Sequence, residues 1–263
     1  MKSCHVAIAP CAIATILLGA NVAAAEPSTH RADYRVAYIG LSVARATFTT
    51  VFDGDRFTVA GEMQSAGVAN IVGRTTGSTT VSGVKANDRM QAERYVVAYS
   101  SGNDEQRMEV DFDNGSVTSA ILTPEKKRTR EDWVPVPESD MRAVLDPIAG
   151  VMIPEGSDVC DRTLPIFDGE TRYDIHLNEA GTQPFQAEGY DGTPFAAEAI
   201  VCTARAEPKS GYHARNSSIQ YMREMNVEVW FAHNEQAGIY APVYARVPTK
   251  LGPVTITATH FGS

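Results

Sequence analysis

The sequence predicts an all-β protein, mainly antiparallel, whose curled sheet forms a half-open barrel or β-spiral. Three observations support this class: many runs alternate apolar and polar residues, glycine-containing turns separate those runs, and one segment near 138–152 has helical spacing instead. Alternation with a period of two is typical of strands that bury one face, and antiparallel sheets are the usual setting for such strands.

The alternation is clear at several places along the chain. Residues 108–113 put Met, Val and Phe on one face and acidic residues on the other. The same pattern recurs in residues 173–178, 226–231 and 254–258. Each run therefore predicts a strand with one buried and one solvent-facing side.

Turns are predicted where Asp-Gly or Asn-Gly follows such a run, as at Asp53-Gly54 and Asn114-Gly115. The stretch PIFDGETRYD at 165–174 holds three carboxylates and an arginine, which also raises acid–base chemistry as an alternative. We interpret it as a hairpin turn at Asp168-Gly169, with Glu170 and Arg172 facing outward. The glycine-containing residues 179–194 predict a long exposed loop.

The segment 138–152 carries apolar residues at helical spacing, namely Met141, Val144, Leu145, Ile148, Val151 and Met152. Pro147 argues against one continuous helix, whereas Asp146 as N-cap and Pro147 as first helical residue predict two short helices with a corner between them. We expect helix to be confined chiefly to this segment. Its apolar face must be buried, and the open end of the curled sheet offers the place.

The chain start has the pattern of a secretory signal peptide. Lys2 precedes an apolar run over about 6–18, and small residues at 23–25 precede Glu26. We expect cleavage between Ala25 and Glu26, a single β domain over 26–263, and a periplasmic location; the alternative is an uncleaved membrane helix. No later run is apolar enough to predict a membrane span.

The net charge and the cysteine content indicate which partners are unfavourable and in which compartment the protein functions. The net charge of −9 disfavours nucleic acid as a partner, because an acidic chain repels phosphate backbones. Cys4 and Cys11 would leave with the signal peptide, so Cys160 and Cys202 are expected to form a disulfide in an oxidising compartment. A redox-active pair is the alternative, although such pairs usually stand closer together in sequence.

No motif with known catalytic mechanics is found. The sequence lacks a nucleophile elbow, the zinc-protease helix motif, a dinucleotide-binding glycine motif and a P-loop. The histidines after the leader show no close pairing of the kind that local metal sites use. We therefore predict no catalytic residue, no metal, no cofactor and no enzymatic activity.

The small, apolar loop 65–73 has two interpretations. It could be a turn of helix packed under the sheet, or a pliable rim of a pocket. In the second case its apolar residues and those of the helical segment would form two lips around a ligand. The ligand-binding candidates are Val68, Ile71, Val72, Met141, Val144, Leu145, Ile148 and Met152. The corner at Asp146-Pro147 and the glycine Gly150 would then let the helical lip shift as a unit.

Several stretches together resemble a bacterial family known as domain of unknown function 3108, over about residues 34–261. The matching stretches are residues 34–44, 146–148, 165–169, 172–173, 228–232 and 247–249, with Cys160 and Cys202. The resemblance implies an exported envelope protein with a curled antiparallel sheet, and no catalytic residues. More distantly, the architecture is similar to lipoprotein carriers and to spiral-β envelope-integrity proteins.

These observations lead to three hypotheses of function. The first is a non-enzymatic periplasmic protein that binds a lipid-like or amphipathic ligand in a half-open barrel. The second is a scaffold module that binds an envelope protein and fills its concave face with its own helical segment. An enzyme of unrecognised type is the third, and it would require histidines and carboxylates to cluster in the cavity.

Overall fold

The structure is a computed structural model that describes residues 26–86, 88–126 and 131–262. The predicted signal peptide, including Ala25 on one side of the expected cleavage point, lies outside the described residues. Within the described residues, no helix combines the length and apolar character needed to cross a membrane.

Sixteen strands occur in the described part of the chain. They are β1 Ser28–Tyr38, β2 Leu41–Asp53, β3 Arg56–Ser65, β4 Thr75–Lys85, β5 Met90–Ser101, β6 Asp104–Asp113, β7 Ser116–Thr123, β8 Trp133–Val134, β9 Ile153–Pro154, β10 Arg162–Phe167, β11 Arg172–Glu188, β12 Pro194–Ser210, β13 Tyr212–His213, β14 Val227–Asn234, β15 Ile239–Val247 and β16 Val254–Gly262.

Helical structure is sparse. One turn of helix, α1, covers Ala69–Val72, and α2 covers Ser217–Glu224. Two short 3-10 helices lie at Glu138–Met141 and Ala149–Val151. Strands account for 64% of the structure and helices for 8%, so the predicted all-β class is confirmed.

Fourteen of the strands form one sheet that curls without closing into a barrel. Its order is β10-β11-β12-β14-β15-β16-β1-β2-β3-β4-β5-β6-β7, with β9 paired to the start of β15. Neighbours along this order are antiparallel, and a single parallel pair, Glu188 with His260, joins the tip of β11 to β16. The two remaining strands, β8 and β13, form a small separate sheet.

The first and last strands of the described part of the chain meet in the middle of this sheet. The first strand, β1, pairs with β2 on one side and with the last strand, β16, on the other. Consecutive hairpins build both halves, and the β1–β16 pairing joins them. The concave face of β1–β3 therefore continues into that of β15 and β16.

The interior consists of three groups of buried apolar side chains. One lies between β2–β7 and the segment 144–152, a second surrounds β10–β12 and β14, and a third lies under the tip of the β11–β12 hairpin. Phe185 from that tip packs on β14–β16 and β1. The curled sheet is thus covered on its concave side by its own segment 144–152.

The two-part helical segment exists, but its geometry differs from the prediction. Its parts are 3-10 turns, and Val144–Leu145 between them is extended: Leu145 forms a parallel bridge to Ile166. Asp146 does act as the predicted cap, since its Oδ1 accepts hydrogen bonds from the backbone N–H of Ile148 (2.9 Å) and Ala149 (2.8 Å). Bridging to β10 leaves too few residues for an α-helix.

Two further expectations were wrong. Residues 179–194 do not form a long loop, because β11 runs to Glu188 and β12 begins at Pro194. Helix also occurs outside 138–152, in α2. Asn216 caps α2 by accepting a hydrogen bond from the backbone N–H of Ser218 (2.8 Å).

The stretch 165–174 is a turn, as predicted, with Gly169 at a φ of 100°. The Asp168 carboxylate accepts hydrogen bonds from the backbone N–H groups of Glu170 (2.9 Å) and Thr171 (2.7 Å). Arg172 was expected to face solvent, but its side chain is 11% exposed and is paired with Asp174 at 2.7 Å. The ion pair with Asp174 holds the Arg172 side chain against the sheet instead of in solvent.

Candidate functional site

An apolar cavity of about 350 Å³, here called the chamber, lies inside the curl of the sheet. Its walls come from β1, β2, β3, β15 and β16 and from residues 147–152 of the covering segment. The apolar side chains that line it include Tyr34, Phe48, Val59, Met63, Ile148, Met152, Ile239 and Ile256. A chamber of this kind has the apolar walls and few polar groups of a typical small-molecule site.

Alternation along the strands explains the apolar lining. Even-numbered residues of β1 and β2 and odd-numbered residues of β3 point into the curl, so Tyr34, Phe48 and Val59 meet there. The rings of Tyr34 and Phe48 pack edge to face with centroids 5.9 Å apart. The Tyr34 hydroxyl donates to the carbonyl of Pro242 at 2.7 Å, which fixes the ring across the β1–β15 side of the chamber.

Burial raises the pKa of Tyr34, so its hydroxyl is protonated at neutral pH. With its hydrogen committed to Pro242, the hydroxyl adds no charge to the wall. The ring face is what the chamber interior meets. The wall at this point is apolar in spite of the phenol group.

Three buried polar residues, His30, Thr50 and Asn234, mark one part of the lining. Burial lowers the pKa of His30, which favours the neutral imidazole. Its Nε2 lies 3.2 Å from Ser28 Oγ, and its Nδ1 lies 3.4 Å from Asn234 Nδ2. Because Asn234 Oδ1 accepts from the Ala237 N–H, its Nδ2 is the donor, and His30 Nδ1 is the acceptor.

The covering segment is anchored on one side and faces the chamber on the other. Val144 and Leu145 are buried in the core, and backbone hydrogen bonds from Leu145 to β10 and from Val144 to Gly115 hold them in place. Ile148 and Met152 turn toward the chamber. The segment is thus a fixed plug that leaves an unfilled space beside it.

Gly150 does not provide the hinge that the sequence suggested. A Cβ at this position would lie 2.8 Å from Leu145 Cβ and 3.1 Å from Ile166 Cδ1. The glycine therefore allows close packing of the plug against β10, which argues against movement of the segment as a unit.

The plug contains one buried ionisable side chain, the carboxyl group of Asp146. It is fully buried, and its Oδ2 has no hydrogen-bond partner among the described residues. Burial raises the pKa of Asp146 to about 6, although the hydrogen bonds from Ala149 and Ile148 oppose this shift. The carboxyl group is therefore half-protonated near pH 6.

Of the eight ligand-binding candidates, the structure places Ile148 and Met152 in the chamber wall. Val144 and Leu145 belong to the buried, anchored side of the plug, and Met141 is half-buried outside the lining. The sequence pattern could not distinguish chamber residues from core residues, because both kinds lie on the same apolar face of the segment.

The proposed second lip is not part of the chamber. Ile71 is 86% exposed and Val68 49% exposed, and neither lines the cavity. The alternative, a helical turn packed under the sheet, is also wrong for these two side chains. The side chain of Val72 lies outside the described part of the structure.

Sequence analysis missed most of the lining, because those residues lie within strands. The local signal was present: Tyr34, Ala46, Phe48 and Met63 stand at alternate positions of predicted strands. No local pattern predicts that β15 and β16 lie near β1, because β1 and β16 are far apart in the sequence.

A histidine–carboxylate cluster exists, but outside the chamber. Ligand atoms of Asp174, His176 and Glu207 on β11 and β12 lie within 4.8 Å of one another. Lys209 Nζ contacts Glu207 at 2.8 Å and Asp174 at 3.4 Å, and Arg172 also pairs with Asp174. Two cations thus neutralise the carboxylates, which is typical of a surface ion-pair network.

The two cysteines of the predicted pair lie together. Their Sγ atoms are 1.98 Å apart and their Cα atoms 5.7 Å apart, which is disulfide-bonding distance. The pair connects the segment before β10 to the middle of β12. Both cysteines are buried in the second group of apolar side chains.

The fold and chamber together define an all-β protein built on a curled, open antiparallel sheet with an internal apolar cavity. The chain belongs to the family described as "Protein of unknown function (DUF3108)", whose model matches residues 33–259. This confirms the resemblance noted in the sequence. The comparison with curated proteins found no match.

Among solved structures, the chain is similar to a β-barrel-like protein of domain of unknown function DUF1849 from Brucella abortus. The TM-score is 0.50 and the sequence identity 10%, and the alignment covers 89% of this chain and 96% of that chain. At this identity the likeness supports the fold alone.

Proposed function

We propose that this protein is a non-enzymatic protein of the periplasm that binds the apolar part of an amphipathic ligand in the chamber. The observation that carries the proposal is the apolar space between the plug and the concave sheet. This space of about 350 Å³ is open to solvent on one side, and its size and mostly apolar walls are those of small-molecule pockets.

The energetics support an apolar ligand. Each methylene group moved from water into the chamber contributes about 0.8 kcal/mol. Met63 and Met152 in the wall are flexible and polarizable, which suits an acyl chain of variable conformation. In the lining, His30 and Asn234 contact each other and Arg31 is paired with Asp33, so these groups do not require a charged ligand.

The proposed location rests on the leader pattern over 1–25 and on the cysteine pair. A buried pair at disulfide distance suits an oxidising compartment. Cell fractionation with determination of the mature N-terminus tests this point. A chain beginning at Glu26 in the periplasmic fraction is expected, and an intact leader in the membrane fraction would contradict it.

A scaffold module is the second candidate, and one observation favours it. The plug is anchored by backbone hydrogen bonds, and the rest of the concave face is filled by the protein's own side chains. Under this hypothesis the chamber would stay empty and the outer surface would bind an envelope partner.

Fluorescence of N-phenyl-naphthylamine with delipidated protein, and its displacement by decanol, separates the two candidates. Saturable binding is expected for the wild type. Ala46→Trp should abolish it, because Ala46 lines the chamber. Ala60→Trp is the matched control, since Ala60 lies exposed on the outer face of β3.

Circular dichroism of each variant shows whether the sheet is retained. Absence of saturable binding in folded wild-type protein would end the ligand hypothesis and leave the scaffold. Equal binding by Ala46→Trp and Ala60→Trp would place the probe elsewhere on the surface.

A further inference from the structure

The chamber adjoins a second and larger space, here called the groove. The groove has a volume of about 770 Å³. It is lined by residues that lie side by side on β2–β6, namely 45–47, 62–64, 76–78, 98–100 and 105–107, and by residues 123–124. It shares Ala46 and Met63 with the chamber. These two residues therefore form the boundary between the apolar chamber and the groove.

A single row of paired residues leads from this boundary across five strands. In the register of the sheet, Ala46 pairs with Met63, Met63 with Gly77, Gly77 with Tyr99, and Tyr99 with Gln106. Residues paired in this way face the same side of a sheet. Since Ala46 and Met63 face the chamber, the row continues the concave surface outward.

The sizes of the two spaces differ in a way that suits an amphiphile. The chamber is near the lower end of the range for ligand pockets and has room for one acyl chain. The groove has more than twice that volume. A small head such as a carboxylate would leave most of it unoccupied.

The chemistry of the row is uncharged and suited to hydrogen bonding. Tyr99 is 43% exposed, and its hydroxyl donates to Gln106 Oε1 at 2.6 Å. The Gln106 amide hydrogens and the Tyr99 lone pairs face the groove as donors and acceptors. Gly77 keeps the floor open between Met63 and Tyr99.

The charges around the groove cancel. Arg45 and Arg107 border it together with Glu62 and Glu105, and Arg107 is further paired with Glu109 at 2.9 Å. Lys126, next to Tyr99 and Gln106, is paired with Glu170 at 2.8 Å. Among the residues that the structure describes, an anionic head would therefore meet no excess positive charge here, on a chain whose net charge is −9.

We infer that the ligand is a single-chain amphiphile with a bulky, uncharged hydrogen-bonding head, such as a glycosyl or polyol group. Its chain enters the chamber past Ala46 and Met63, and its head lies in the groove against Tyr99 and Gln106. This inference rests on the proposed function and adds the orientation and the head-group class to it.

The test compares three ligands that share a decyl chain: decyl maltoside, decanol and decanoate, each below its critical micelle concentration. Displacement of N-phenyl-naphthylamine gives their affinities. Decyl maltoside should bind about tenfold more tightly than decanol, as one or two additional net hydrogen bonds would provide. Decanoate should bind more weakly than the maltoside.

Two variants of β4 locate the head. Gly77→Trp would fill the groove and should abolish the advantage of decyl maltoside while leaving decanol binding unchanged. Thr80→Trp is the matched control, because Thr80 is exposed on the outer face of the same strand. It should keep the wild-type preference.

Equal binding of the maltoside and decanol, unaltered by Gly77→Trp, would overturn the head-group inference and leave the chamber function standing. Tighter binding of decanoate than of the maltoside would overturn it as well. Failure of all three ligands to bind folded wild-type protein would instead remove the proposed function itself.

Discussion

Asp146 combines two roles that conflict at neutral pH. One carboxylate oxygen caps the turn that carries Ile148 and Met152 into the chamber wall, and the other is buried without a hydrogen-bond partner among the described residues. Burial of an incompletely paired carboxylate is unfavourable for the charged form. The capping hydrogen bonds need only an acceptor oxygen, so a neutral side chain with that oxygen would cap the turn without a buried charge.

This conflict predicts a pH dependence of stability. Since the pKa of Asp146 is about 6 in the folded chain and ordinarily near 3.8, the folded state binds the proton more tightly than the unfolded state. The contribution of Asp146 to the free energy of unfolding should therefore rise as the pH falls from about 7 to about 4, by up to about 3 kcal/mol, while His30, whose pKa burial lowers, contributes in the opposite direction. Urea denaturation across this range measures it.

Asp146→Asn should flatten that profile, because the amide oxygen retains the cap and no charge remains. Asp168 has a pKa that burial raises in the same direction, so a smaller slope should persist. Tyr95 and Tyr173, whose pKa values are also raised, stay neutral throughout. Asp104→Asn, at an exposed site in β6, is the control and should keep the wild-type dependence of unfolding free energy on pH. If Asp146→Asn also kept it, the pH dependence would not come from Asp146.

Gly150 tests the packing of the plug. Gly150→Ala would bring a Cβ within 2.8 Å of Leu145 Cβ, and overpacking of this kind costs about 1–3 kcal/mol. Gly73→Ala is the control, since a Cβ there would meet no atom within 4 Å. Equal stability of the two variants in urea would indicate that the plug is looser than the structure shows.

At the scale of elements, the cysteine pair joins parts that the sheet order already brings near one another. The two cysteines are 42 residues apart in the sequence. In the chain-entropy model, a disulfide that closes a loop of this length stabilises the folded state by about 4 kcal/mol. The double variant Cys160→Ala/Cys202→Ala should lose about 2–5 kcal/mol of unfolding free energy. Reductant should destabilise the wild type and leave the double variant unaffected, and no effect on the wild type would mean that the thiols are free.

The elements also show which local signals suffice for prediction. Period-two alternation located β6, β14 and β16, but burial itself alternates only in β6: β14 has no exposed residue, and Thr259 is the one exposed residue of β16. The helix α2 was not predicted, because two helical turns give little periodicity. The plug was located correctly, but its bridge to Ile166 is a long-range contact that no local spacing predicts.

At the scale of the whole molecule, the pairing of β1 with β16 joins the two halves of the sheet and brings the walls of the chamber together. Eight residues of β1, from Arg31 to Tyr38, have partners in β16. This pairing makes β1–β7 and β10–β16 parts of one sheet, although residues 124–161 separate the two groups along the chain. The chamber lies across this junction, with Phe48 and Val59 on one side and Ile239 and Ile256 on the other.

This arrangement predicts that residues 26–262 unfold as a single cooperative unit. The tryptophan introduced by Ala60→Trp reports on β3, and Trp230 reports on β14, each in a background where the other tryptophans are replaced by Phe. The two fluorescence transitions in urea should coincide with that of far-ultraviolet circular dichroism, which is the criterion of two-state unfolding. If instead β3 and β14 reported separate midpoints, the β1–β16 pairing would be too weak to join the halves, and the chamber between them would open before the sheet unfolds.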